Sequence, residues 1–230
     1  ADAPPAHNAR MMDFDSRRPK LDVPFAVLVT GSLGLAVGIA TVAASALAYY
    51  ATRDFSFFTT YISDFGAAQG WPSALFTAGM LIAAPLRYLF LVLLLVRLVH
   101  LGASSRFRST MLVVGAVTVL GSIGTAAIPF TLDAAIHKGS ALLYFFGTVV
   151  LLGAISVQEW KLRLPRALPL SGIAVVAAYF VFATLLAMAG KVGAIDRATP
   201  VPWEWLSFIA LMVWLAAHTL LLGSRAPKEH

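Results

Sequence analysis

Six stretches of the sequence are each about 20 or more residues long and almost free of charge. A bilayer core about 30 Å thick needs about 20 apolar residues from a helix that crosses it, so each stretch is long enough for one crossing. Their apolar residues are continuous and do not alternate with polar ones, which argues against a β-barrel. The stretches cover residues 24–50, 72–98, 110–130, 139–160, 168–189 and 203–223.

The composition supports a membrane protein and excludes several other classes. Hydrophobic residues make up 59% of the chain and charged residues 12%, against about 45–50% and about 25% in soluble domains. Cysteine is absent, which excludes disulfides, iron–sulfur clusters and thiolate metal sites. We therefore predict an all-α, polytopic integral membrane protein, a bundle of six transmembrane helices, with no cofactor and no nucleic-acid partner.

Lys and Arg residues are unevenly distributed between the two ends of the predicted helices. Twelve of the 17 lie in the tails and in the loops after the second and fourth helices, and four lie in the loops on the opposite side. Because cytoplasmic loops are enriched in Lys and Arg, we expect both termini in the cytoplasm, in a bacterial inner membrane. The chain then divides into a flexible tail at 1–22, a six-helix domain at 23–224 and a second tail at 225–230.

Glycines recur along one face of the first and third predicted helices. In lipid, small residues let two helix backbones approach closely, so we interpret these faces as packing surfaces. The glycines are Gly31, Gly34 and Gly38 in the first helix and Gly115, Gly121 and Gly124 in the third.

Polar residues gather at the predicted non-cytoplasmic ends of the helices. A run with Ser63, Asp64 and Gly66 follows the first helix, His137 opens the fourth, and Glu204 opens the sixth. These residues are far apart in the chain but close to one membrane face. We expect a closed bundle to bring Asp64, His137 and Glu204 together.

Four interpretations of this group remain open. A carboxylate and an imidazole can exchange a proton near neutral pH. Two carboxylates and a His can also hold a divalent metal with an open position, so any metal site is expected at Asp64, His137 and Glu204. The same groups can bind a lipid head group. The simplest alternative is that they cap helices and stabilise turns.

Two further ionisable residues lie inside predicted spans. Arg87 follows Pro85 in the second helix, where an isolated charge costs about 2.5–3.5 kcal/mol, so it should face a partner or a wet cavity. A lipid phosphate or carboxylate, or backbone carbonyls freed by Pro85, are the partners we consider. His218, in the sixth helix, is expected to form a hydrogen bond to another helix.

Three motifs resemble a known group of proteins. Ile62-Ser63-Asp64-Phe65-Gly66 looks like the I-S-D-x-G signature of a bacterial six-helix membrane family of unknown function. It is also similar to the eukaryotic group of the DRAM autophagy modulators and the GPI-anchor lipid-remodelling factor. In that group a His opens the fourth helix and a Glu followed by an aromatic opens the last, matched here by His137 and by Glu204-Trp205. The group commonly has Asp after the His, whereas this chain has Lys138.

The resemblance implies a six-helix bundle, over roughly residues 24–223, that handles or regulates membrane lipid. We therefore expect a binding protein and not an enzyme, and we assign no catalytic residues. The residues expected to bind a lipid or a membrane partner are Ser63, Asp64, Gly66, Arg87, His137 and Glu204. An accessory subunit of a larger membrane complex is one alternative. A metal-dependent membrane lipid hydrolase is the other.

Overall fold

Residues 21–224 are described by a computed structural model, and within this range every regular element is an α-helix. Six of the seven helices are long and apolar enough to cross a membrane, and the short helix α2 lies between the first two of them. This confirms the all-α, six-span prediction. The helices are α1 (Val23–Tyr50), α2 (Ile62–Ala67), α3 (Trp71–His100), α4 (Ser105–Ala127), α5 (Ala134–Lys161), α6 (Ala167–Met188) and α7 (Val201–Gly223).

The six long helices form a closed ring. Each packs against its neighbours in the chain, and α7 packs against α1 to complete the ring, with a smaller contact between α7 and α3. Successive long helices run in opposite directions, so the ring has two distinct ends. We call the end with α2 and the loops 128–133 and 189–200 the α2 end. The other, where α1 begins and α7 ends, is the terminal end.

Local capping explains where several helices begin. The Asp22 side chain accepts a hydrogen bond from the Phe25 N–H, and the Ser104 hydroxyl accepts one from the Phe107 N–H. Asp133 accepts from the first N–H groups of α5. Such caps satisfy N–H groups that have no partner within the helix. The Asp133 cap places the start of α5 at Ala134, five residues before the predicted start at 139.

The predicted glycine faces lie inside the bundle. Gly31, Gly34 and Gly38 of α1 are buried and face α7. A Cβ on Gly121 of α4 would lie 2.6 Å from the Tyr144 backbone nitrogen of α5. Only glycine allows α4 and α5 to lie this close, which confirms the packing interpretation.

The buried residues form two clusters. The larger one is centred on Leu94 and Leu98 of α3 and reaches all six long helices. The smaller one lies at the α2 end, where Phe65 contacts Phe76 and Trp205 with ring centroids 6.1 and 6.0 Å apart. Large apolar side chains on the outside of the ring are exposed, as expected for surfaces that face lipid. The aromatic cluster fixes α2 against the bundle.

Part of the predicted domain organisation lies outside the described residues. Apart from Leu21 and Asp22, the tails predicted at 1–22 and 225–230 fall in residues 1–20 and 225–230. The division of the chain into two tails and a six-helix domain stays a prediction. The assignment of the terminal end to the cytoplasm stays a prediction.

Candidate functional site

Two acidic side chains hold the beginning of α2. Glu204, in the first turn of α7, accepts a 2.6 Å hydrogen bond from the Ile62 N–H through Oε2, and Ser63 faces the same carboxylate. Asp64 accepts a 3.0 Å bond from the Tyr61 N–H through Oδ2. Both carboxylates therefore satisfy N–H groups at the start of a helix, where negative charge is also favoured by the helix dipole. Asp64 and Glu204, two of the three residues that were expected to meet, therefore bind adjacent N–H groups.

The loop before α7 provides the other side of this cluster. Asp196 accepts bonds from the hydroxyl and the N–H of Thr199 at 2.7 and 2.8 Å, which lowers the pKa of its carboxyl group. The turn positions Arg197, whose guanidinium donates to Asp64 Oδ1 at 3.3 Å and whose carbonyl accepts from the Tyr61 hydroxyl at 2.6 Å. The Arg197 side chain is 84% exposed, so its ion pair with Asp64 is a surface interaction.

Two aromatic residues connect the loop 51–61 to α7 and to the loop before it. The Trp205 Nε1–H donates to the Thr60 carbonyl at 3.0 Å, and Tyr61 is bound as described above. Burial raises the pKa of Tyr61 to about 12, with a further contribution from the charge of Glu204. Tyr61 therefore stays protonated and continues to donate its hydrogen bond throughout the neutral range.

Gly66 allows α2 to lie against α3. A Cβ at this position would lie 3.1 Å from Cδ1 of Phe76, which is tighter than ordinary packing. The Gly66 carbonyl accepts a 2.7 Å bond from the Ser73 hydroxyl. In this arrangement the polar groups of the I-S-D-x-G run bind neighbouring backbone and side chains, which favours the capping interpretation for them.

His137 lies apart from this cluster. Its Nδ1 is 2.8 Å from the Ile128 carbonyl, to which it donates, and its ring packs edge-on against Phe130. These contacts tie the first turn of α5 to the loop after α4. Between residues 21 and 224 no three His, Asp or Glu side chains are grouped so as to hold a metal ion. The expected meeting of His137 with Asp64 and Glu204 in a metal-ligating group is therefore not found.

Arg87 lies near the middle of α3, 16 residues after Trp71 and 13 before His100. At 1.5 Å per residue these separations are about 24 and about 20 Å, so the backbone of the residue is deep in the span. Its Nη2 donates to the Ser122 hydroxyl of α4 at 3.2 Å. Neither of the two ion pairs found in residues 21–224 includes Arg87.

A cavity of about 80 Å³ lies beside Arg87 between α3, α4, α5 and α7. Polar lining groups come from Ser122 and Thr118 of α4 and from Tyr144 and Thr148 of α5. The Tyr144 hydroxyl is also 3.0 Å from the Tyr179 hydroxyl of α6. Leucines and Trp214 form most of the remaining wall. The lining of the cavity therefore combines the Arg87 guanidinium and several hydroxyl-bearing side chains with a largely apolar surface.

Sequence reasoning missed one buried pair. His218 Nε2 lies 2.6 Å from Glu159 Oε1, and both side chains are fully buried. The bond joins α5 to α7, which confirms the interhelical hydrogen bond predicted for His218. Its partner was recognisable in principle, because Glu159 is the only acidic residue of the predicted fourth span and lies toward the same membrane face as His218.

One protein family matches most of the chain. Residues 34–221 match the model of DUF998, described as a protein of unknown function. No curated protein matches the chain, and no solved structure matches it either. The function therefore has to be inferred from the residues described above.

Proposed function

The chain belongs to the DUF998 family, whose function is unknown, and from its own residues we propose that it binds an anionic membrane lipid through Arg87. The carboxylate or phosphate of the lipid contacts the Arg87 guanidinium. The adjoining part of its acyl chain occupies the apolar side of the cavity.

The observation that carries this proposal is that Arg87 forms no ion pair with any residue between 21 and 224. The guanidinium has five N–H donors, and Ser122, the partner of Nη2, is neutral. A charge on a membrane-spanning helix is costly and usually marks a functional site. Carboxylates and phosphates accept two parallel hydrogen bonds from one guanidinium, so an anionic head group matches it in charge and in geometry.

The cavity favours an amphiphile over a small ion alone. Arg87 and Ser122 lie at its wall, and Leu151, Leu152, Leu211 and Leu215 contribute to a lining that is mostly apolar. A volume of about 80 Å³ is several times the roughly 10–15 Å³ that a single water molecule needs. It therefore accommodates the anionic group and the first atoms of a chain, while the rest of the lipid lies in the surrounding bilayer.

The resemblance noted above is consistent with a lipid ligand. The I-S-D-x-G run is similar to a signature of the group that includes the GPI-anchor lipid-remodelling factor. In this chain the run forms α2, which Asp64 and Glu204 hold against the bundle. We propose that Ser63, Asp64, Gly66 and Glu204 maintain the fold at this end and that Arg87 contacts the lipid.

Native mass spectrometry of the protein released from detergent micelles tests the proposal. Oleate, phosphatidic acid and phosphatidylcholine are added separately, and retention is compared between wild type and Arg87→Gln. A hydrogen bond to a charged group contributes about 1.5–3 kcal/mol, so we expect binding of the preferred anion to fall by about tenfold to a hundredfold. Lys191→Gln removes an exposed loop cation and is the matched control.

The three lipids separate the sources of the anion. Loss of oleate binding alone identifies a fatty-acid carboxylate, and loss of phosphatidic acid alone identifies a phospholipid phosphate. Arg87→Lys keeps the charge but not the paired donors, and should retain intermediate binding. Equal retention of both anions by wild type and Arg87→Gln, or an equal loss in Lys191→Gln, rejects the proposal.

A further inference from the structure

The hydrogen-bond partners of His218 indicate where the protons of the buried Glu159–His218 pair lie. His218 Nδ1 is 2.8 Å from the Trp214 carbonyl oxygen. A carbonyl oxygen only accepts hydrogen bonds, so Nδ1 carries a hydrogen. In the neutral imidazole the other nitrogen, Nε2, then has a lone pair instead of a hydrogen.

The 2.6 Å contact between Nε2 and Glu159 Oε1 therefore requires one more proton. Without it, a carboxylate oxygen and a nitrogen lone pair would face each other and repel. With it, the pair is either a carboxylic acid that donates to imidazole or a carboxylate that accepts from imidazolium. Both forms are neutral overall, which is the net charge that a buried site in a membrane tolerates best.

The pair is fully buried but lies close to an aqueous phase. Glu159 is two residues from the end of α5 and His218 is five residues from the end of α7. At 1.5 Å per residue these separations are about 3 and about 8 Å. Both residues lie at the terminal end, so a proton has only a short distance to travel to water.

The surroundings of the pair leave polar atoms without partners. Glu159 Oε2, the hydroxyl of Ser156 one turn earlier on α5, and the Trp214 Nε1 have no hydrogen-bond partner among the described residues. The Trp214 ring stacks on His218 with centroids 4.3 Å apart, and Gly172 of α6 packs against Ser156. At the same end α3 and α4 carry Arg97 and Arg108, whose Nε atoms are buried without a partner, and neither forms an ion pair in residues 21–224.

We propose that Glu159 and His218 form a proton-binding site inside the membrane, with one exchangeable proton between Oε1 and Nε2. Release of this proton to water at the terminal end leaves a carboxylate and a neutral imidazole. These two groups repel each other, so deprotonation separates α5 from α7 at this point. The site adjoins the Arg87 cavity through Trp214, which lines that cavity and stacks on His218, and it provides an α5–α7 contact whose strength depends on proton occupancy.

Nitrogen NMR of histidine-labelled protein in detergent micelles tests the proposal. His218→Gln identifies the His218 resonances by their absence. As the pH is raised, we expect the Nε2 resonance to change from that of a hydrogen-bonded nitrogen to that of a free lone pair, while Nδ1 stays protonated. Far-UV circular dichroism defines the pH range over which the protein remains folded.

Glu159→Gln supplies the decisive comparison. The Gln amide donates to Nε2 and cannot be deprotonated, so the bond and the fold are retained and the change at high pH is lost. His137→Gln alters a histidine at the opposite end and should leave the His218 signals unchanged. A wild-type Nε2 resonance that is constant over the whole folded range, or an unaltered change in Glu159→Gln, overturns the proposal.

Discussion

Gly121 lies where the backbones of α4 and α5 approach closely. In Gly121→Ala the added methyl group would lie 2.6 Å from the Tyr144 nitrogen and 2.8 Å from the Ser140 carbonyl oxygen. Both neighbours are backbone atoms, so no side-chain rotation relieves the contact. Since ordinary contacts begin at 3.4 Å, the two helices must separate locally by about 0.8 Å.

This separation determines the expected loss of stability. Overpacking of a tightly packed interior costs about 1–3 kcal/mol, and close helix contacts drive association in lipid. Alanine favours the helix over glycine by about 1 kcal/mol in water, which offsets only part of the cost. Because both clashing neighbours are backbone atoms, the overpacking cost should lie in the upper part of this range, about 2–3 kcal/mol. After the offset of about 1 kcal/mol, we expect Gly121→Ala to lower the free energy of unfolding by about 1–2 kcal/mol.

Gly34→Ala is the matched control, because it makes the same chemical change in another buried helix face. Its methyl group would lie 3.7 Å from a Leu215 methyl carbon, an ordinary contact. Unfolding in mixed micelles of increasing sodium dodecyl sulfate, followed by circular dichroism, measures both variants. If Gly121→Ala is as stable as wild type, or if Gly34→Ala loses as much stability, then backbone proximity does not limit this site.

Two further predictions concern the α2 end. Glu204→Ala leaves the Ile62 N–H without its partner and should lower the free energy of unfolding by about 1.5–3 kcal/mol. Arg197→Ala removes an exposed ion pair with Asp64 and should lower it by less than about 1 kcal/mol. The same unfolding assay compares the two variants, and equal losses contradict the assignment of Glu204 as the stronger of the two contacts. Because burial raises the pKa of Tyr61 from 10.0 to about 12, the folded protein binds more protons than the unfolded chain between these values. The contribution of Tyr61 to stability is therefore complete below pH 10 and is lost as the pH approaches 12. Tyr61→Phe should remove this part of the pH dependence of the free energy of unfolding. A pH profile that is unchanged in Tyr61→Phe contradicts this prediction.

The spans were predictable because lipid imposes a simple requirement on length and hydrophobicity. The ends of α1, α6 and α7 lie within two residues of the predicted ones. The start of α5 was missed because Ala134 to Lys138 include a charge and a His, whereas the Asp133 cap extends the helix through them. Capping depends on one side chain, which hydrophobicity averaged over a long stretch does not detect.

The site was only partly predictable. Asp64 and Glu204 meet because α1, α3 and α7 are adjacent in the ring, and His137 is tied to the loop after α4. Proximity to the same membrane face did not determine position around the ring, which depends on helix packing. The sequence places Glu159 and His218 toward the same membrane face, but their contact also depends on packing around the ring, since α5 and α7 are not consecutive helices.

Closure of the ring by α7 against α1 has a consequence for synthesis. Helices enter the membrane in chain order, so α7 covers the glycine face of α1 only after the six described spans have been inserted. A nascent chain that stops before α7 keeps Glu159 in the membrane without His218. Helix α7 thus supplies both the wall that closes the ring and the hydrogen-bond partner of a buried acid.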